Sequence, residues 1–124
     1  MGGVQEIAGC PVYVCADEGS CLAEYRELTG LIGDLFSIDA RIVAIPLGRL
    51  GPDFLRLSSG VAGEVLQKLV TYRFQIAVVG DVSAAAVRSA PLRDFIGESN
   101  RGRTVWFVDD LAALEARLAA YGKA

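Results

Sequence analysis

The residues with the clearest chemical potential stand where a predicted strand gives way to a predicted helix. Asp81 and Ser83 follow a strand-like run and precede a helix-like pattern. Asp81 could bind a metal ion or a hydroxyl group, and Ser83 with the free N–H groups of the helix start could hold an anion. The alternative is structural, with Gly80 permitting the turn and both side chains capping the helix. The sequence leaves both interpretations open.

A second group lies on one predicted helix, about residues 60–72, at a spacing of four residues. Glu64, Lys68 and Tyr72 share a face of that helix, because residues four apart are neighbours on a helix surface. They could form a binding or acid–base site. The alternative is an exposed Glu–Lys pair, which contributes only about 0.2–0.5 kcal/mol.

The most basic stretch combines a carboxylate, a hydroxyl, an amide and guanidinium groups. It contains Glu98, Ser99, Asn100, Arg101 and Arg103. Such a set could bind a phosphate group or an acidic partner, because guanidinium groups form paired hydrogen bonds to these oxyanions. The alternative is a helix C-terminus, where arginines meet the helix dipole and Gly102 ends the helix in a left-handed conformation.

Several reaction classes are excluded by what the chain lacks. There is no histidine among the 124 residues, which removes Ser-His-Asp and Cys-His catalysis and every His-ligated metal site. The three cysteines, Cys10, Cys15 and Cys21, make a weak zinc case, and buried small side chains are their expected role. We expect no metal and no cofactor. Whether the chain is an enzyme stays open, because its carboxylates form no pair at a convincing spacing.

The charge balance bears on partners and location. With 12 basic and 15 acidic residues the net charge is −3, whereas a general nucleic-acid binder shows a basic footprint. The longest apolar runs are far shorter than the roughly 20 residues of a membrane helix. An odd number of cysteines is typical of a reducing compartment. We therefore expect a cytoplasmic protein with no nucleic-acid or membrane partner.

The apolar pattern predicts the strands that position these groups. Val4–Ala8 and Val12–Ala16 are short segments close enough to form a hairpin. Continuous apolar runs at Ile42–Ile45, Ile76–Val79 and Val105–Val108 are typical of strands buried on both faces of a parallel sheet. We expect these three runs to form the core.

Helices are predicted between the strands from apolar residues spaced three and four apart. The first covers about residues 20–36 and has Tyr25 and Phe36 in its buried stripe. Pro91 breaks or restarts the third, and Asp109 caps the last. The order ββαβαβαβα predicts an α/β fold with right-handed crossovers.

The second part of the chain contains a specific combination of segments, which are Gly60–Lys68 with Tyr72, Ala77–Ser83 and Leu92–Gly102. Over about residues 40–118 this combination resembles an uncharacterised bacterial family, domain of unknown function 4180. The resemblance implies a fold but no reaction, because that family has no established activity.

A fainter likeness concerns the loop before the second helix. The order Ser58-Ser59-Gly60, helix, strand is similar to the phosphorylatable segment of STAS domains and related SpoIIAA-like proteins. It implies a phospho-switch at Ser58 or Ser59, with plain helix capping as the alternative.

We expect a single α/β domain, residues 1–124, with helices packed on a four- to five-stranded, mostly parallel sheet and an N-terminal hairpin strand. The SpoIIAA-like arrangement is favoured, and the flavodoxin-like arrangement is the alternative.

The favoured function is a non-enzymatic binding or regulatory module that engages a protein partner through the second helix and its preceding loop. The 52% hydrophobic composition also favours a homodimer, since symmetric dimers are the commonest oligomers. The alternatives are binding of a small anionic ligand and the phospho-switch. Ser59 and Ser83 are candidate binding residues, together with eight residues that we predict to lie on one surface: Glu64, Lys68, Tyr72, Asp81, Glu98, Ser99, Asn100 and Arg101. The alternative is two sites, with Asp81 and Ser59 at one edge of the sheet and Tyr72 with Glu98–Arg101 at the other.

Overall fold

A five-stranded sheet forms the centre of the protein in a computed structural model that describes residues 2–38 and 40–122. The strands lie side by side in chain order: β1 (Gly3–Ile7), β2 (Cys10–Val14), β3 (Ile42–Pro46), β4 (Gln75–Val79) and β5 (Val105–Val108). β1 pairs antiparallel with β2, and the other pairs are parallel. This confirms a mostly parallel sheet with an N-terminal hairpin. The flavodoxin-like alternative is wrong, because that fold places its first strand between the second and third.

In the described part of the chain, five helices connect or cover these strands: α1 (Tyr25–Phe36), α2 (Val61–Thr71), α3 (Ser83–Arg88), α4 (Ala90–Arg101) and α5 (Leu111–Gly122). Short 3₁₀ turns at Leu47–Leu50 and Leu57–Ser59 lie between β3 and α2. Within the described residues, none of the helices combines the length and the apolar character needed to span a bilayer.

The predicted core runs are buried on both faces of the sheet. Successive side chains of a strand point to opposite faces, so Val43 and Val78 join the cluster that packs under α1 and α2. Ala44 and Trp106 join the other cluster, which α5 covers. The Ile42–Ile45, Ile76–Val78 and Val105–Val108 runs are all buried, and Val79 is half-buried. The core prediction is confirmed.

The first helix starts later than its sequence pattern predicts. α1 begins at Tyr25, and the preceding loop is held by Arg49, whose guanidinium donates to the carbonyls of Ala16 at 2.8 Å and Ser20 at 2.9 Å. The Leu22 N–H also donates to the Arg49 carbonyl. These contacts join residues about thirty positions apart, so no local pattern could indicate them.

Two predicted helix ends are wrong and one is confirmed. Asp110, not Asp109, caps α5, because its carboxylate accepts from the Ala113 N–H at 2.7 Å. Gly102 has an extended backbone, with φ −91°, rather than a left-handed one. Pro91 does separate α3 from α4, and it lies in the first turn of α4, where its missing N–H costs nothing.

Candidate functional site

Four side chains, from α1, α2 and the residue that follows α2, form a strip on the outside of the molecule. The Phe36 and Tyr72 rings meet edge to face with centroids 5.3 Å apart. The Lys68 ammonium, one turn away on α2, lies 4.3 Å from the centre of the Tyr25 ring. Tyr25 is 75% exposed, Phe36 59% and Tyr72 42%. We call these four residues the aromatic strip.

Helix geometry explains why the aromatic strip is outside the core. The buried stripe of α1 includes Leu28 and Leu35. At 3.6 residues per turn, Tyr25 and Phe36 lie roughly a quarter of a turn from the centre of that stripe. The prediction that they belong to the core is therefore wrong. They lie on the flank of α1 that contacts α2, where their rings meet Lys68 and Tyr72.

Glu64 lies one turn before Lys68 on α2 without pairing with it. In the part of the chain that the structure describes, the ion pairs do not include Glu64. Lys68 instead contacts Tyr25, an interaction worth about 0.5–1 kcal/mol at an exposed site. The Glu64 carboxylate stays exposed beside the aromatic strip.

Asp81 and Ser83 bind each other. The Asp81 carboxylate accepts from the Ser83 hydroxyl at 2.6 Å and from the Ser83 N–H at 2.9 Å. These two hydrogen bonds, chiefly that of the hydroxyl, lower the pKa of the Asp81 carboxyl below its ordinary value. The carboxylate is therefore ionised at neutral pH, which suits it to starting α3 better than to donating a proton.

The two serines before α2 differ, because Ser59 forms hydrogen bonds that cap the helix and Ser58 is exposed. The Ser59 hydroxyl donates to the Asp53 carbonyl at 2.8 Å and accepts from the Val61 N–H at 3.2 Å. Ser59 is half-buried in this arrangement, whereas Ser58 is exposed. Ser58 lines a groove of about 650 Å³ that also contains Arg56. Ser59 thus has the structural role, and Ser58 is the more accessible hydroxyl.

The last turn of α4, Glu98–Arg101, mainly stabilises the edge of the sheet at β5. The Asn100 side-chain oxygen accepts from the Phe107 N–H at 2.7 Å. β5 is the last strand of the sheet, so this N–H has no neighbouring strand to bond. Glu98 and Arg101 form an exposed ion pair at 3.4 Å, and Ser99 contributes its carbonyl to the end of α4.

The predicted residues occupy three places: the α2 face, the helix starts that contain Ser59 and Asp81, and the Glu98–Arg101 turn. Among the described residues, no hydrogen bond, ion pair or ring contact joins Asp81 to that turn. The topology gives the reason. Asp81 follows the carboxyl end of β4, whereas α4 ends before the amino end of β5.

A cavity that the sequence did not predict lies between α1 and the end of β2. Its volume is about 310 Å³, and its lining includes Tyr13, Cys15, Asp34 and Arg49. Burial raises the pKa of Cys15 to about 11 and is also the main cause that raises the pKa of Tyr13. Both groups are protonated at neutral pH, so the thiol is a poor nucleophile. Within the described ranges, no cluster of acidic or cysteine side chains could hold a metal ion.

Comparison with known proteins gives a family and no activity. A family model described as "Domain of unknown function (DUF4180)" matches residues 7–118, which is most of the chain. No curated protein and no solved structure matches it. The chemistry of the surface is therefore the basis for a functional assignment.

Proposed function

The chain belongs to the DUF4180 family, and we propose that it is a non-enzymatic interaction module whose α1–α2 face binds a second copy of the same chain. The aromatic strip is the observation that carries this proposal. Of the five large hydrophobic side chains exposed in the described residues, three belong to the strip: Tyr25, Phe36 and Tyr72. Exposed apolar groups gathered on one face are typical of a protein interface.

The charges beside the strip favour a second copy as the occupant. Glu64 and Lys68 lie one turn apart on α2, and the ion pairs found among the described residues include neither of them. If two α2 helices approach antiparallel about a two-fold axis, Glu64 of each copy faces Lys68 of the other. A surface with one acid and one base in this order is complementary to itself, as a symmetric interface requires.

The polar groups elsewhere support a non-enzymatic role. The Cys15 thiol is protonated because burial raises its pKa to about 11. The Asp81 carboxylate accepts hydrogen bonds from Ser83, and the Asn100 side chain accepts a hydrogen bond from the Phe107 N–H of β5. Each of these groups has a structural partner or an unreactive form. The free thiols of the three cysteines support a location in a reducing cytoplasm.

The oligomeric state of the purified full-length chain tests the proposal. Light scattering after size exclusion is expected to give the mass of two chains at micromolar concentration. Replacing the two contacting rings, Phe36→Ser with Tyr72→Ser, is expected to weaken association at least about ten-fold, because aromatic anchors carry most of an interface's free energy. Val87→Ser is the matched control, since Val87 is 77% exposed and lies on α3. It is expected to leave the dimer intact.

A charge exchange distinguishes a second copy from another protein. Glu64→Lys and Lys68→Glu each place like charges opposite one another across the two-fold axis and are expected to weaken the dimer. The double variant restores opposite charges and is expected to recover it. A monomer at all concentrations, or a dimer that Phe36→Ser with Tyr72→Ser leaves unchanged, would contradict the proposal.

A further inference from the structure

A third concave surface lies between the end of α4, the segment leading into β5, and α5. Its volume is about 320 Å³, and its lining includes Arg101, Arg103 and Arg117 together with Trp106. None of the described residues that line it is acidic. Positive charge is thus concentrated in one hollow of a chain whose net charge is −3. We call this hollow the basic cavity.

The end of a helix carries partial negative charge that normally repels an anion. Here the carbonyls at the end of α4 already accept hydrogen bonds. The Asn100 carbonyl accepts from Arg117, the Gly102 carbonyl from the Trp106 ring N–H at 2.9 Å, and the Ser99 carbonyl from the Gly102 N–H at 3.0 Å. These donors offset the negative end of α4, so the arginines dominate the charge of the cavity.

Arg117 lies in the wall of the basic cavity, and the ion pairs found among the described residues do not include it. Its guanidinium carbon lies 4.5 Å from the centre of the Trp106 ring, and one of its nitrogens donates to the Asn100 carbonyl. Neither partner carries a full charge, so the positive charge of Arg117 is not cancelled by them. A guanidinium group has five N–H donors, and the bond to Asn100 engages only part of this capacity.

Arg101 adds a second charge that is easily redirected. It pairs with Glu98 at 3.4 Å, with both side chains about 70% exposed. Exposed pairs of this kind contribute roughly 0–1 kcal/mol. Binding an anion in the cavity would therefore cost little when Arg101 leaves Glu98.

We propose that the basic cavity binds a small phosphate-bearing anion. Phosphate oxygens match guanidinium donors in geometry and charge, and the cavity volume lies within the range of small-molecule sites. Trp106 is 1% exposed, so its ring is not available to stack on a nucleobase. Recognition is therefore directed at the phosphate group, whether it belongs to inorganic pyrophosphate or to a nucleotide.

Trp106 is the chain's single tryptophan, so its fluorescence reports directly on the cavity. Titration of the full chain with sodium pyrophosphate, at fixed ionic strength, is expected to give a saturable change with a Kd below about 1 mM. ATP is expected to bind with a similar Kd, because the base makes no stacking contact. A much tighter Kd for ATP would overturn recognition of the phosphate alone.

Variants of the cavity provide the control. Arg117→Gln and Arg101→Gln are each expected to raise the pyrophosphate Kd at least about ten-fold, the loss of a charge-assisted hydrogen bond. Arg26→Gln makes the same charge change on α1 and is expected to leave the Kd unchanged. Arg101 is exposed, so Arg101→Gln decides the outcome if Arg117→Gln unfolds. Absence of saturable binding by both fluorescence and calorimetry, or equal Kd values for Arg101→Gln and Arg26→Gln, would overturn the proposal.

Discussion

The helix starts and the aromatic strip use their side chains in opposite ways. At the starts of α2, α3 and α5, the hydroxyls and carboxylates of Ser59, Asp81 and Asp110 bond to nearby backbone groups. On the aromatic strip, large rings remain 42–75% exposed although a core lies one helix face away. The polar side chains that the sequence offers as candidate site residues thus form hydrogen bonds that stabilise the fold. The aromatic side chains that the sequence offers as core residues are exposed and can contact a partner.

Introducing an aspartate in the core and on the aromatic strip is expected to give the largest difference in stability between two regions of the molecule. Val78 in β4 is 0% exposed, so Val78→Asp places a carboxylate in the core without a partner. That penalty is several kcal/mol, comparable with the whole stability of a small domain. We expect no cooperative unfolding transition by circular dichroism. Tyr72→Asp on the strip is expected to unfold cooperatively near the wild-type midpoint, under conditions where the protein is monomeric.

The opposite result would reverse the assignment of the two regions. If Tyr72→Asp abolished folding, the strip would be part of the core rather than a surface. If Val78→Asp melted like the wild-type protein, β4 would not be a buried inner strand of the sheet.

A smaller effect is expected at the Glu98–Arg101 turn, where neighbouring polar residues differ in their use. Asn100→Ala leaves the Phe107 N–H without its acceptor, which costs about 1–3 kcal/mol for a buried donor. Ser99→Ala keeps the backbone carbonyl that Ser99 contributes and is expected to change stability by less than about 0.5 kcal/mol. Urea denaturation measures both. Equal stabilities for the two variants would contradict a structural role for the Asn100 side chain.

Much of the fold was predictable because its signals are local. The Ile42–Ile45 and Val105–Val108 runs indicate buried strands by composition alone, and Pro91 restricts where α4 can begin. The start of α1 was not predictable, since Arg49 holds the loop before it from about thirty residues away. Asp109 and Asp110 are adjacent and chemically identical, so only the observed bond to Ala113 identifies the cap.

The candidate site was less predictable because it depends on how helices meet. Lys68 and Tyr72 were identified by their spacing on one helix face. Their partners Tyr25 and Phe36 have the spacing of core residues, and only the packing of α1 beside α2 shows that they are exposed. The basic cavity similarly required Arg117 of α5 to meet the end of α4. The sequence shows which residue types are present, but it does not show which side chains on different helices come into contact.

The smallest expected effect on stability is at Gly63, where alanine is expected to be tolerated, in contrast to Gly80. Gly63 is the third residue of α2, is exposed, and has no heavy atom outside its own helix backbone within 4 Å of where a Cβ would stand. Glycine costs up to about 1 kcal/mol against alanine in a helix interior, and Gly63 lies in the first turn, so Gly63→Ala is expected to stabilise the monomer by less than about 1 kcal/mol. Gly80 has φ +152°, and a Cβ there would lie 2.8 Å from Leu47, so Gly80→Ala is expected to destabilise it.

Measuring Gly63→Ala at two protein concentrations separates folding from association. Among the described residues, no side chain lies close to a Cβ at this position. At 3.6 residues per turn, Gly63 lies about 140° around α2 from Lys68, away from the face proposed to bind the second copy. We therefore expect a higher unfolding midpoint at both concentrations and unchanged association. A loss of stability at low concentration would show that the chain itself needs Gly63, and a weaker dimer would place the second copy on the Gly63 side of α2 rather than on the aromatic strip.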